Sequence, residues 1–341
     1  MAINIAVLGD GAWGTAIALL LAQNPEHRVT LWSARAENAR ILRERRENVR
    51  FLPGVRIGPE VKLTGDISDA LEGALLWVVA VPTVYLRDTL APLSATLRGD
   101  CPVVSLSKGL EMKTFLRPTG ILGQLLGRRT FAVLSGPSHA EEVSRGLPAS
   151  VVVACENQPV ARWIQERFAT NRFRVYTSGD VVGVELAGAL KNVIAIAAGI
   201  SDGLGLGDNA KSALLIRGVV EMARFGVAQG AERDTFFGLA GLGDVITTCV
   251  SRHGRNRRVG ERLAGGESLA AILASTPMVA EGVYTTKSLY ERTEQPGIEM
   301  PITTEVYRVL YEGKNPRAAV TDLMTREAKS EYETLSSQGP L

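Results

Sequence analysis

Cysteine and histidine are both scarce in this chain, with three of each in 341 residues. Cys101, Cys155 and Cys249 lie far apart, show no C-x-x-C spacing, and gain no ligand pattern from the histidines. Disulfide frameworks and zinc sites need their residues at set intervals, so neither is legible here, and a reducing compartment fits this cysteine usage. Charge of one sign is lacking too. The 38 Lys and Arg against 36 Asp and Glu leave a net +2, dispersed along the chain, which argues against a nucleic-acid partner. Only Arg252, Arg255, Arg257 and Arg258 gather locally. No leader is expected either: strand pattern begins within a few residues of Met1, which leaves little room for a signal or transit peptide and makes the cytoplasm the expected location. No internal repeat or low-complexity segment occurs, and Lys329 to Leu341 reads as a solvated tail. The most apolar stretch, Val182 to Ile200, is rich in Ala and Gly and is interrupted by Glu185, Lys191 and Asn192. A charge near a bilayer centre is costly, so an interior helix is expected there and no membrane span.

Glycine is what the chain has in quantity, and the first group of it is ordered. In "VLGDGAWGTA", Gly9, Gly11 and Gly14 stand between an apolar run fit for a buried strand, Ile3 to Leu8, and a helical stretch, Ala16 to Gln23. In that setting the first glycine permits a tight turn and the second lets a pyrophosphate approach the backbone. The third lets helix pack on strand, with the helix N-terminus facing the anion. Further buried-strand patterns follow at Arg28 to Trp32, Ala74 to Val81, Pro102 to Leu106, Phe131 to Leu134, Ser150 to Ala154 and Phe173 to Tyr176, most of them separated by helical stretches. Such alternation predicts an α/β fold with a doubly wound, Rossmann-type parallel sheet, whose ligands lie at the carboxyl ends of the strands. Polar segments do follow strands: "AVPTV", "SLSKGLE" and "LSGPSHAEE". Beyond about residue 180 the pattern turns to helices broken by glycine-rich loops. Two domains are therefore expected: residues 1–180 for the dinucleotide, and an all-helical 181–341 for substrate and catalysis.

Several side chains in this frame could carry chemistry. Lys191 sits in the apolar helix, where an ammonium loses hydration; a lowered lysine pKa suits proton transfer near neutrality, although a snorkelling or ion-paired lysine has the same pattern. Lys108 ends a strand in "SKG" and could hold a phosphate or polarise a carbonyl, or merely be solvated. Asp244 closes "GLAGLGD" ahead of a helix, where a plain N-cap is the alternative. "GRNRR", from Gly254 to Arg258, offers guanidinium and amide donors suited to phosphate, or a solvated basic loop. His139 in "SGPSHAEE" ranks below these, since nothing near it supplies a defined triad.

Taken together, the segments resemble the bacterial NAD(P)-dependent glycerol-3-phosphate dehydrogenase family. The likeness runs in order through "GDGAWGTA", "FLPGV", "VVAVP", "SKGLE", "SGPSHAEE", "ALKNVIAIAAGISDGLGLGDNA", "GLAGLGDVITTC", "GRNRR", "EG" and "MPIT", over nearly the whole chain. It implies the reversible reduction of dihydroxyacetone phosphate to sn-glycerol 3-phosphate by NAD(P)H, feeding phospholipid synthesis. By this resemblance Lys191 is the proton donor and acceptor. Lys108, Gly136, Ser138, Asp244, Gly254, Arg255 and Asn256 surround the substrate, and Ala12, Trp13, Lys108, Ala140, Arg255, Val279 and Glu281 touch the cofactor. Three departures stand out: Gly254 and Ala12 occupy places where the family commonly has serine, and Ala34 one where a basic or polar residue often sits.

The end of the second strand bears on cofactor choice. An Asp or Glu there, about 20 residues past the glycines, accepts from the ribose 2′-hydroxyl and marks NAD use. Ser33, Ala34 and Arg35 stand in that place instead, and donors from Ser33 and Arg35 suit a 2′-phosphate, so NADP is expected to be preferred over NAD; the alternative is that Glu37 turns back to the ribose. Two other functions remain open, another two-domain hydroxyacid dehydrogenase and a non-catalytic dinucleotide sensor. The sequence leaves the oligomeric state open, a homodimer included.

Overall fold

The computed structural model describes residues 2–97, 99–276, 278–293, 298–328 and 330–331. These residues hold ten strands: β1 (Ile3–Leu8), β2 (His27–Trp32), β3 (Glu47–Asn48), β4 (Leu52–Arg56), β5 (Val61–Thr64), β6 (Ala74–Val79), β7 (Val103–Ser105), β8 (Phe131–Ser135), β9 (Ala149–Ala154) and β10 (Phe173–Ser178). Helices α1 (Ala12–Leu21), α2 (Ala36–Arg45), α3 (Ile67–Leu71), α4 (Thr83–Leu90), α5 (Pro118–Leu126), α6 (Ala140–Val143) and α7 (Gln158–Phe168) lie between them. Apolar, β-branched runs such as β1 and β6 are buried because helices cover both faces of the sheet they join.

Eight strands make that sheet, in the order β10-β9-β8-β7-β6-β1-β2-β5. The chain winds outward from β1 to β2 and β5, then crosses to β6 and winds the other way. The crevice beyond the carboxyl ends of β1 and β6 is thus the topological switch point, where such sheets take their ligands. One pairing departs from the expected parallel sheet: β9 runs antiparallel to β8, and β10 follows β9. The only helix between β8 and β9 is the four-residue α6. It rises about 6 Å, too little to return the chain along a five-residue strand of about 17 Å, so the chain turns and runs back. The edge strand β5, four residues with only Lys62 exposed, and the small β3–β4 pair are further elements too short for a sequence pattern to reveal.

After β10 the described residues are helical: α8 (Val181–Gly203), α9 (Gly207–Ala228), α10 (Asp244–Val250), α11 (Arg255–Ala264), α12 (Leu269–Ala274), α13 (Glu281–Thr293), α14 (Pro301–Tyr311) and α15 (Pro316–Met324). Helix α8 is the one helix among the described residues long and apolar enough to cross a membrane, but 89% of its apolar window is buried, and α9, α10, α11, α13 and α14 pack around it. Its small residues explain how so many neighbours fit. A Cβ on Gly199 would lie 1.8 Å from the Arg257 carbonyl oxygen, and one on Gly260 would lie 2.0 Å from that of Ile196. Helices α8 and α11 therefore cross nearly backbone to backbone. This crossing fixes Arg255 and Asn256, in the first turn of α11, relative to Lys191 and Asn192 on α8. Asp180 caps α8 by accepting from the Gly183 N–H at 2.7 Å, and its other oxygen accepts from Glu232 N–H and Thr235 Oγ1.

Candidate active site

The glycine turn after β1 closes only because Gly9 and Gly14 lack side chains. Gly9 has φ +119°, and a Cβ on Gly14 would fall 1.9 Å from the Gly9 carbonyl oxygen. Helix α1 begins at Ala12, four residues before the sequence pattern predicts, so the last glycine of the motif is itself helical. No side chain caps this helix, which leaves its first N–H groups for an anion, and space around Gly11 is open to 4 Å. Trp13 Nε1 is buried without a hydrogen-bond partner. Ala12 and Trp13 pack on a small cluster formed by Leu52, Val55 and Ala140, which explains why "FLPGV" and the start of α6 belong to the same site. An uncapped helix N-terminus over a glycine-rich turn, with open space at Gly11, suits a dinucleotide diphosphate.

The neighbouring strand end corrects one expectation. The Ser33 hydroxyl donates to Asp10 Oδ2 at 2.8 Å and to the Arg35 carbonyl at 3.2 Å, so it is not free for a 2′-phosphate. Arg35 is exposed at the N-cap of α2 and stands apart from the groups below.

Three charges converge where the sheet meets the helices. Lys191 Nζ donates to Asp244 Oδ1 at 2.6 Å and to Thr248 Oγ1 at 2.6 Å. Lys108 Nζ, reaching from the loop after β7, donates to Asp244 Oδ2 at 2.7 Å and to the Gly136 carbonyl at 3.2 Å. Asp244 owes its aim to a single π-helical turn, Leu239–Gly243, that runs into α10. It bridges both ammoniums and does not cap its own helix. The Lys191 side chain is 8% exposed and that of Asp244 3%. Burial, with repulsion from Lys108, pulls the Lys191 ammonium down to about 8, although Asp244 opposes the fall. Burial alone would raise Asp244, but Lys108 and Lys191 on its two oxygens hold it below the usual carboxylate range. Two cations and one anion leave the cluster one positive charge, suited to a phosphate or a developing alkoxide.

The other expected residues surround this cluster. Ser138 Oγ donates to the Gly136 carbonyl at 2.9 Å, beside the Lys108 contact. Asn256 Nδ2 donates to Asn192 Oδ1 at 2.9 Å, and Asn192 Nδ2 donates to the Lys108 carbonyl at 3.0 Å, so one amide chain ties α11 and α8 to the β7 loop. Arg255 is exposed, and its Nη1 donates to the Val279 carbonyl at 3.2 Å. Glu281 accepts from the Thr83 N–H at 2.6 Å, which joins α13 to the start of α4 at the carboxyl edge of the sheet. Burial raises Glu281, against contacts from Thr83 and Arg255. A Cβ at Gly254 would lie 2.5 Å from the Thr248 carbonyl oxygen, so a serine there needs a shifted backbone. His139 stays beside the cluster, its pKa lowered by burial and by the Lys191 charge.

Comparison with known proteins decides the family. The N-terminal family model of NAD-dependent glycerol-3-phosphate dehydrogenase matches residues 4–161, and the C-terminal one matches 180–321. The chain belongs to the NAD-dependent glycerol-3-phosphate dehydrogenase family. It is 50% identical over 336 residues to the glycerol-3-phosphate dehydrogenase (NAD(P)+) of Geobacillus thermodenitrificans, covering 97% of each chain. The corresponding protein of Moorella thermoacetica is 49% identical over 331 residues, covering 97% of this chain and 98% of that one. The crystal structure of glycerol-3-phosphate dehydrogenase from Coxiella burnetii superposes with a TM-score of 0.91 at 37% identity, over 95% of this chain and 99% of that one.

Within this glycerol-3-phosphate dehydrogenase fold, four polar residues join the site that sequence reasoning left out. Thr248 lies one turn after Asp244 on α10, a spacing that could have signalled a shared face. Asn192 was read only as an interruption of an apolar helix. Thr83 could have been found as the first polar residue after a strand end. Asp10 has no such signal, because inside a glycine motif it looks like a spacer.

Proposed function

We propose that this chain catalyses the reversible reduction of dihydroxyacetone phosphate to sn-glycerol 3-phosphate with NAD(P)H, a supply step for glycerophospholipid synthesis. The observation that carries the reading is the buried Lys191–Asp244–Lys108 cluster at the carboxyl edge of a nucleotide-binding sheet. A reduced nicotinamide, when bound, supplies hydride to the ketone carbon. Lys191, with its pKa near neutrality, donates the proton to the ketone oxygen and takes it back in the reverse direction. Lys108 and the cluster's net positive charge stabilise the alkoxide as it forms. Asp244 keeps Lys191 protonated and aimed, and Thr248 fixes its ammonium from the other side. Arg255 and Asn256, with the backbone at Gly254, hold the phosphate, while Gly136 and Ser138 border the substrate. Gly9, Gly11, Ala12, Trp13, Gly14, Arg35, Ala140, Val279 and Glu281 serve the nucleotide.

The reading divides the chain after residue 180 into a nucleotide domain and a helical domain that completes the cleft. In support, β10 ends at Ser178 and α8 starts at Val181, and the two family matches are separated between 161 and 180. A cytoplasmic location accompanies it, in keeping with three unpaired cysteines. The test is turnover of NADH and NADPH with dihydroxyacetone phosphate beside ketopantoate, with 6-phosphogluconate in the oxidative direction. Turnover confined to dihydroxyacetone phosphate is expected; turnover of either other compound alone would replace the substrate assignment.

A further inference from the structure

The strand end that marks nucleotide choice carries no acidic residue of its own, yet a carboxylate reaches it from the adjacent strand. Asp10 follows Gly9, whose N–H donates to the Trp32 carbonyl at 3.1 Å, and Leu8 pairs with Trp32, so the turn after β1 lies directly beside the end of β2. The Asp10 side chain crosses that gap. Its Oδ2 accepts from Ser33 Oγ at 2.8 Å and from Asn38 Nδ2 at 3.3 Å, one donor from the β2–α2 turn and one from the first turn of α2. Asn48 Nδ2 donates to the Asp10 backbone carbonyl at 2.7 Å, which fixes the main chain as well.

We propose that Asp10 sets the order of nucleotide preference, favouring NAD(H) over NADP(H) by accepting from the ribose 2′-hydroxyl and repelling a 2′-phosphate. The inference rests on the dehydrogenase reading above. A diphosphate on the N-terminus of α1 brings the adenosine ribose over the end of β2, which is where this carboxylate is held. Both donors reach Oδ2, and a carboxylate has acceptor capacity for about four hydrogen bonds, so Oδ1 can take the hydroxyl. The surroundings carry the same sign. Asp10, Glu37 and Glu47 line one surface cleft of about 130 Å³ with Asn38, Asn48 and Arg50, three carboxylates against one guanidinium. Arg35, the cation that would answer a 2′-phosphate, is exposed, and solvent and salt screen it. Asp10 is half-buried and doubly tethered. The family's use of either nucleotide stands, but the order expected from Ser33 and Arg35 is reversed because Asp10 already holds the Ser33 hydroxyl.

Equilibrium binding without substrate tests this. Isothermal titration of the full chain with NADH and NADPH, and with ADP and 2′,5′-ADP as probes of the adenosine half alone, gives each affinity apart from turnover. Wild type is expected to bind NADH at least about tenfold tighter than NADPH, a gap of about 1.4 kcal/mol. Asp10→Asn and Asp10→Ala are expected to tighten NADPH and 2′,5′-ADP by about tenfold while moving NADH and ADP far less. If Asp10→Ala melts at a much lower temperature, the conservative Asp10→Asn decides. Tighter NADPH binding in wild type, or an unmoved ratio in Asp10→Asn, would overturn the inference and leave the dehydrogenase reading intact. Binding of neither nucleotide by folded wild type would overturn both.

Discussion

Replacing Asp244 with Asn tests the cluster through a single charge. Among the described residues Asp244 is the one carboxylate that hydrogen-bonds both Lys108 and Lys191, and its amide analogue keeps shape while removing the charge. Treated as unit charges about 4 Å apart at an effective dielectric of about 20, the lost attraction is about 4 kcal/mol, or about 3 pKa units at 1.36 kcal/mol each. The Lys191 ammonium, at about 8 in wild type, would fall to about 5, leaving about one molecule in a hundred protonated at pH 7. Reduction of dihydroxyacetone phosphate needs the ammonium; oxidation of sn-glycerol 3-phosphate needs the free amine. At pH 7 kcat/KM for reduction should therefore fall about 10²-fold, whereas oxidation at about pH 9, where wild-type Lys191 is already neutral, should fall by less than about tenfold. The assay is initial rates of both reactions across pH, with nucleotide saturating. Equal losses in both directions at every pH would refute the reasoning and leave Asp244 a structural tether.

Three further outcomes follow from single contacts. Arg255→Lys keeps the charge but loses the planar fork, so KM for dihydroxyacetone phosphate should rise about tenfold with little change in kcat, measured by steady-state kinetics; an unmoved KM would assign the exposed guanidinium to the Val279 carbonyl alone. Gly14→Ala places a methyl 1.9 Å from the Gly9 carbonyl oxygen, so the turn must open. Nucleotide affinity should fall at least about tenfold and stability by about 1–3 kcal/mol, read by titration and urea midpoint. Glu185→Ala removes a buried carboxylate that pairs with Arg117 and accepts from the Thr119 N–H and hydroxyl, anchoring α8 to the start of α5. It should lower urea stability by about 3 kcal/mol.

The parts of this molecule legible from sequence are those in which local pattern and packing agree. The strands β1 and β6 to β9 appear as apolar runs, β2 and the edge strand β10 show as shorter apolar patterns interrupted by exposed residues, and the turn at Gly9 to Gly14 carries its reason in its spacing. Helix α8 also yields to composition, since charges inside an apolar, small-residue helix point to crowded neighbours. Direction does not: the reversal at β9 depends on how far α6 can carry the chain, and no residue type announces it. The site follows the same division. Lys191 stands out as a charge in an apolar setting, but its pairing with Lys108 through Asp244 joins residues 53 and 136 positions from that carboxylate. Only the fold brings them together. Ser33 was misjudged for the same reason, because the acceptor that claims its hydroxyl is Asp10, 23 residues earlier on a neighbouring strand end.

The central claim is that Lys191 moves the proton, and the pH dependence of kcat/KM in both directions, for wild type and Lys191→Ala, tests it most directly. For wild type, kcat/KM for reduction should hold steady below about 8 and fall about tenfold per pH unit above it, while oxidation rises through the same midpoint. Lys191→Ala should lose at least about 10²-fold in both directions and show neither limb, with nucleotide affinity close to wild type. Turnover within tenfold of wild type, or the same pH limbs persisting in folded Lys191→Ala, would contradict the account.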